Sequence, residues 1–291
     1  MSPSMPASRP VLAALARVRI VLVETSHPGN IGAAARAMKV MGLTRLTLVA
    51  PRVPIDDEAM RRASGAADVL EQARIVETLD AALEGCAFAV AATARPRQLS
   101  PDVSDARQAA LEIMRRLSPV VPAGRNGAIG DAVDKAKNEA IVEVTDEAID
   151  EVTDAAIVFG NETSGLTNEQ ARRCQLLAHI PANEGYSSLN LAAAVQVFAY
   201  ELRMALLNPA DIAAITQPGG VLDVPARLDE VEGLLQHCEA ALAEIGFYDP
   251  ANPKRLMPRL RRLFSRARLE REEVNILRGI LNAATRAGAK R

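Results

Sequence analysis

The stretch Val21–Lys39 reads VLVETSHPGNIGAAARAMK. Its apolar start closes a strand-like run from Arg19 to Val23. His27-Pro28-Gly29 forms a turn, and the small residues of Asn30–Met41 suit a helix that Gly42 stops. Strand, polar loop and helix in that order predict an α/β domain built on a parallel sheet. The glycines fall at 29 and 32, giving G-x-x-G and not G-x-G-x-x-G. About 20 residues beyond Gly32 stand Pro51 and Arg52, with no acid before Asp56. A dinucleotide-dependent oxidoreductase is disfavoured on both counts.

The alternation continues outward from that stretch. Leu46–Ala50 and Phe88–Ala92 read as strands, Ile75-Val76 as the start of another, and Asp68–Leu70 is ambiguous. Leu79–Leu83 and Ser104–Leu117 read as helices. The sheet resumes at Ala155–Phe159, followed by a helix at Asn168–Arg173, a short strand at Ala178–Ile180 and a long helix at Leu189–Leu206 that Asn208-Pro209 ends. Beyond Gln217-Pro218-Gly219-Gly220, three apolar stripes recur at helical spacing: Leu228, Val231, Leu234 and Leu235; Leu256, Leu260 and Leu263; Val274, Leu277 and Leu281. The expected organisation is a mobile tail (1–16), an α/β domain with helices on both faces (17–208), a linker (209–222) and an all-α domain (223–291). Residues 119–154 carry three Lys/Arg against nine Asp/Glu and read as an acidic surface insertion.

Composition narrows the class. Of 291 residues 49% are hydrophobic but only 3% aromatic, so the core is aliphatic and alanine-rich. No apolar run approaches the roughly 20 residues of a membrane span, and Val11–Ala16 is too short for a secretory signal. Three cysteines (Cys86, Cys174, Cys238) and three histidines (His27, His179, His237) are scattered without metal-ligand spacing. A reduced, cytoplasmic protein without a membrane anchor or a metal is expected. The net charge of −2 hides a basic end, with twelve Lys/Arg against three Asp/Glu in residues 251–291.

Three loops at strand ends carry the candidate chemistry: SHPGNIG (26–32), GNETSGL (160–166) and PANEGYSSLNL (181–191). Ligands in open α/β sheets bind beyond the carboxyl ends of strands. In the first, Asn30 is a candidate helix N-cap, Gly32 permits close approach of backbone, and Arg36 and Lys39 follow on the same helix face. Arg36 is there either for a phosphate or ribose or as an ordinary surface arginine. In the second, Glu162 either holds a hydroxyl or a loop backbone, or caps the helix that follows. In the third, Ser187, Ser188 and Asn190 lead into the long helix, which Ser188 could cap. No G-x-S-x-G supports a nucleophilic serine.

Taken together the loops resemble the SPOUT methyltransferases, specifically the subgroup that methylates ribose 2′-hydroxyls. Asn30 with Arg36 is similar to the first motif of that class, FGNETSGL (159–166) to the second and IPANEGYSSLNLAAAVQV (180–197) to the third. RIVLVETSHPGNIGAAARAMKVMGL (19–43) and RLRRLFSRARLEREEVNILRGIL (259–281) resemble the TrmJ-type tRNA enzymes, which often carry arginine where this chain has Asn161. The resemblance spans most of 17–284, outside the tail and the acidic insertion.

It implies a SPOUT fold with a C-terminal trefoil knot, a homodimer with sites shared between subunits, and S-adenosylmethionine as cofactor. The substrate it implies is tRNA, methylated at cytidine or uridine of the first anticodon-loop nucleotide, position 32; ribosomal RNA, another tRNA position and a non-catalytic RNA-binding relative are the alternatives. By position, Ala92, Thr93, Ala94, Gly160, Ile180, Ser187, Ser188 and Leu189 hold the cofactor. Arg36, Asn30, Glu162, Ser188 and Asn190 form the catalytic set. The family proposes the arginine matching Arg36 as a general base; guanidinium groups stay protonated in water, so electrostatic stabilisation of the forming alkoxide is the other role. Lys39, Arg95, Arg97, Arg259, Arg262 and Arg266 are the candidate RNA contacts.

Overall fold

The structure, a computed structural model, describes residues 14–93, 102–117, 153–183, 185–186, 188–208, 210 and 224–288. Seven strands form one sheet: β1 (Val18–Val23), β2 (Arg45–Val49), β3 (Arg74–Val76), β4 (Cys86–Ala92), β5 (Asp102–Asp105), β6 (Asp154–Phe159) and β7 (Leu176–His179). Their order is β3-β2-β1-β6-β4-β7-β5, and every neighbouring pair is parallel. Among the described residues seven α-helices accompany the sheet: α1 (Pro28–Met41), α2 (Asp57–Ala63), α3 (Ala67–Glu71), α4 (Leu79–Leu83), α5 (Ala106–Leu117), α6 (Asn168–Arg172) and α7 (Leu191–Leu207). Three more follow: α8 (Leu228–Glu244), α9 (Leu256–Ala267) and α10 (Arg271–Gly288).

Strand β1, VRIVLV, is apolar except for Arg19 and is buried along its whole length. A parallel strand covered on both faces requires this. Ile20 and Leu22 join one core with Met38, Ile113, Val195 and Phe198, under α1, α5 and α7. Val21 and Val23 point the other way, into a core with Leu79, Leu83, Ala171 and Leu177 that Leu228 of α8 helps to cover. Arg19 lies inside β1 yet is only 8% exposed. Asp154 meets its charge at 2.6 Å, and the carbonyls of Ala82 and Glu84 accept from it at 3.1 and 2.7 Å. The buried cation is thus fully partnered, at the end of the sheet opposite the candidate loops.

The late strands fill gaps between earlier ones. β6 lies between β1 and β4, and β7 between β4 and β5. The loops that follow β1, β4, β6 and β7 therefore emerge side by side at one sheet end. This topology brings together residues near 26–30, 93, 160–166 and 180–190.

Several sequence expectations shift. Ser104 belongs to edge strand β5, and the helix starts at Ala106. The strand placed at Ala178–Ile180 runs from Leu176 to His179, and the long helix from Leu191 to Leu207. Helix α2 had no reading from the sequence; Asp56 caps it, accepting from the amides of Glu58 and Ala59.

Helices α8–α10 enclose a small core of Leu234, Cys238, Leu269 and Val274, with Val231, Phe264, Leu277 and Leu281 against it. Leu263 of the expected stripe is instead 48% exposed. The helical unit is fastened to the sheet domain through Glu232, which pairs with Arg173 and with Arg261, and through Asp229, which accepts from the amide of Gly85 at 3.2 Å. Among the described residues no helix is long and apolar enough to cross a membrane, and no group of three or more His, Cys, Asp or Glu gathers to hold a metal. All three cysteines are free and buried.

Candidate active site

Glu162 stands at the centre of the strand-end loops. One carboxylate oxygen accepts from the backbone amide and the hydroxyl of Ser26, at 3.0 and 2.9 Å. The other accepts from the side-chain amide of Asn30 at 3.0 Å. The oxygen of Asn30 in turn accepts from Asn190 Nδ2 at 2.9 Å. A single chain of hydrogen bonds thus ties the first, second and third loops together. Burial pushes the Glu162 carboxyl up, but the bonds from Asn30 and Ser26 outweigh it and hold the group below its ordinary range. The site carries a fixed negative charge at neutral pH.

This network revises three sequence assignments. Asn30 does not cap α1, because Pro28 occupies the first turn and moves the helix start two residues earlier, leaving His27 as N-cap with no side-chain bond. Its amide is free to join two loops instead. Glu162 does not cap the next helix; Thr167 does, in a capping box with Gln170. Ser188 does not cap α7; Asn190 does, accepting from the amides of Ala192 and Ala193. Ser26 escaped the sequence reading, although a polar residue directly past the end of β1 is where a site residue is expected.

The glycines have separate tasks. A Cβ at Gly32 would lie 2.0 Å from the carbonyl oxygen of Ala59, so its missing side chain admits helix α2. The close approach expected there is made by protein backbone. At Gly160 a Cβ would meet Gly165 C and Leu166 N at 2.2 Å each. The loop folds back on itself there, with Gly165 at φ +68° and its amide donating to Asn161 O at 2.8 Å. Asn161 is buried; it donates to Glu24 O at 2.7 Å and accepts from Thr163 N at 2.9 Å. The residue that departs from the TrmJ-type pattern holds the loop's shape.

Beside the network lies a cavity of about 280 Å³. Phe159, Leu191 and Phe198 make an apolar floor, with the two phenylalanine rings edge to face at 5.5 Å. Its walls include Ala92, Thr93, Gly160, Ile180, Ser188 and Leu189, six of the eight expected cofactor positions; Ala94 and Ser187 lie outside the described residues. Glu162, Thr163 and Ser164 line it as well. An apolar floor with hydroxyls, loop backbone and one carboxylate suits an aromatic base, a ribose and a nearby positive charge.

Residues 17–200 match the SpoU rRNA Methylase family, and residues 229–291 match the C-terminal domain of the tRNA methyltransferase TrmJ. The chain belongs to the SpoU methylase family. It is 43% identical over 271 residues to a tRNA (cytidine/uridine/adenosine-2′-O-)-methyltransferase TrmJ of Pseudomonas aeruginosa, covering 92% of this chain and 93% of that protein. It is 44% identical over 268 residues to the tRNA (cytidine/uridine-2′-O-)-methyltransferase TrmJ of Cronobacter sakazakii, covering 92% and 95%. The crystal structure of TrmJ from Z. mobilis superposes with a TM-score of 0.68 at 30% identity, covering 91% of this chain and 97% of that one.

In this SpoU methylase, Arg36 is not part of the cavity wall. It is exposed on α1 and makes no hydrogen bond or ion pair with another described residue. Lys39 is engaged, donating to Gly65 O at 2.8 Å and pairing with Asp68 at 2.7 Å, so its charge is largely neutralised within the chain. Arg259, Arg262 and Arg266 are exposed on α9. Arg95 and Arg97 lie outside the described residues.

Proposed function

We propose that this SpoU methylase transfers a methyl group from S-adenosylmethionine to a ribose 2′-hydroxyl of tRNA, with cytidine or uridine at position 32 of the anticodon loop as its target, in the cytoplasm. The observation that carries the reading is Asn30 bonded to both Glu162 and Asn190, which gathers the three motif loops around one cavity. The match of residues 229–291 to a tRNA methyltransferase domain favours tRNA over ribosomal RNA.

When bound, the cofactor supplies a methyl made electrophilic by its sulfonium. The chain's own residues bind, orient and dry the reaction site. Ala92, Thr93, Ala94, Gly160, Ile180, Ser187, Ser188 and Leu189 are the holding positions, and Phe159, Leu191 and Phe198 keep water from the floor. Glu162 locks the loops, while Ser188 and Asn190 orient cofactor and ribose. Arg36 stabilises the forming alkoxide and its adjacent phosphate. Its absence from the described cavity wall of its own subunit supports a homodimer in which Arg36 serves the partner's site. The position of β7 between β4 and β5 suits a chain whose C-terminal part threads a trefoil knot.

The test is transfer of labelled methyl from S-adenosylmethionine to total tRNA and to ribosomal RNA. Label on tRNA alone is expected. Label on ribosomal RNA alone, or calorimetric binding of NAD in place of S-adenosylmethionine, contradicts the proposal.

A further inference from the structure

Helix α9 of the helical unit and α5 of the sheet domain face each other across a narrow crevice, lined among others by Arg116, Arg262, Arg266, Arg268, Glu112 and Asp102. Four arginines meet two carboxylates there. Arg116 stacks over the ring of Phe88 at 4.0 Å and pairs with Glu112 at 2.7 Å, so its guanidinium is fixed in place. Arg268 ends α9 in the left-handed conformation, φ +56°, and reaches Glu112 at 3.6 Å. Glu112 also holds Arg115 at 2.8 Å. One carboxylate therefore organises three arginines, while Arg262 and Arg266, one turn apart on α9, pair with no described carboxylate. A crevice with surplus guanidinium charge beside arginines already held in place is built for anions with several oxygens.

Its position gives the anion a source. Leu176 of β7 lines the crevice, while Ala178 and Ile180, two and four residues further along, line the reaction cavity. At about 3.3 Å per residue the two linings come within roughly 7 Å along β7, from Leu176 to Ala178, and lie roughly 13 Å apart along β4, from Phe88 to Ala92. That spacing is within reach of neighbouring nucleotides of a single RNA strand.

We propose that this crevice binds backbone phosphates of the RNA whose ribose occupies the cavity, so that both structural units grip one substrate strand. The proposal rests on the tRNA methyltransferase reading. It adds Arg116 and Arg268 to the expected α9 contacts, and it makes Glu112 a brake on affinity as well as an organiser.

The experiment measures tRNA Kd against salt concentration, and KM for methyl transfer, in the full chain. The double variant R262Q/R266Q removes two exposed charges without touching a core. It is expected to raise Kd and KM about tenfold and to flatten the slope of log K against log salt by about 2. Glu112→Gln is expected to tighten tRNA binding a few-fold. Arg74→Gln, on β3 at the opposite sheet edge, is expected to leave both readouts at wild-type values. An unchanged Kd and salt slope in the double variant, with wild-type enzyme methylating tRNA normally, overturns the crevice. So does unchanged or weaker binding in a folded Glu112→Gln protein. Arginine-dependent tRNA binding without methyl transfer by the wild type supports the crevice and overturns the enzymatic reading instead.

Discussion

Asn190 donates its side-chain amide to the side-chain oxygen of Asn30 at 2.9 Å, across 160 positions of sequence. Each asparagine is used at both ends. The oxygen of Asn190 caps α7 through Ala192 N at 2.9 Å, and the amide of Asn30 donates to Glu162 at 3.0 Å. Both amide orientations are fixed by these partners, so the loops are locked together.

Asn190→Ala removes a helix cap and the loop bridge together, and is expected to cost about 1–2 kcal/mol of stability. Ser188→Ala, two residues away and not a cap, is expected to stay within about 0.5 kcal/mol. Chemical denaturation of the two variants distinguishes them; equal losses would show that Asn190 is not the cap that matters.

Gly32→Ala forces a methyl to within 2.0 Å of Ala59 O, so α1 and α2 must separate. A loss of about 1–3 kcal/mol is expected. Gly65→Ala meets nothing within 4 Å and serves as the control, with a melting temperature at or slightly above wild type.

Acid is expected to weaken the fold through two carboxylates. Burial pushes Glu112 up, but hydrogen bonds and charge from Arg115 and Arg116 prevail and bring it down to about 2. A depressed carboxyl stabilises the folded state above its unfolded value, near 4.5, and that contribution disappears as pH falls toward about 2. Glu162 acts in the same direction. Melting temperatures between pH 7 and pH 3 should fall less steeply in Glu112→Gln than in wild type, from a lower starting value; parallel curves would contradict this.

Arg36→Ala removes an exposed side chain with no described partner, so stability and cofactor binding are expected to survive while methyl transfer falls by at least about 100-fold. Calorimetry with S-adenosylmethionine beside a transfer assay reads both. Near-normal turnover would remove Arg36 from the site.

The central sheet is legible in the sequence because buried parallel strands carry continuous apolar runs, as in IVLV (20–23) and AAIVF (155–159). Edge strand β5 was not, since DVSD carries one apolar residue, and that residue, Val103, is 51% exposed. Helix α2 buries only Ala59 and Ala63, too little contrast for a periodic signal. The three motif loops are legible by resemblance, and the cavity wall contains those expected cofactor positions that are described. What motifs do not carry is the direction of each side chain. Small residues after Asn30 suggest a cap there, but Pro28 at the first helical position moves that task three residues earlier, to His27. Gly32 looked like a ligand-facing glycine until α2 took the space above it.

The most direct test is the position of the transferred methyl. tRNA methylated by the full chain with S-adenosylmethionine is digested to nucleosides and to mapped fragments, and each methylated residue is identified by mass. The expected product is 2′-O-methylcytidine or 2′-O-methyluridine at the first nucleotide of the anticodon loop. A methyl group on a base, with riboses unmodified, would contradict it.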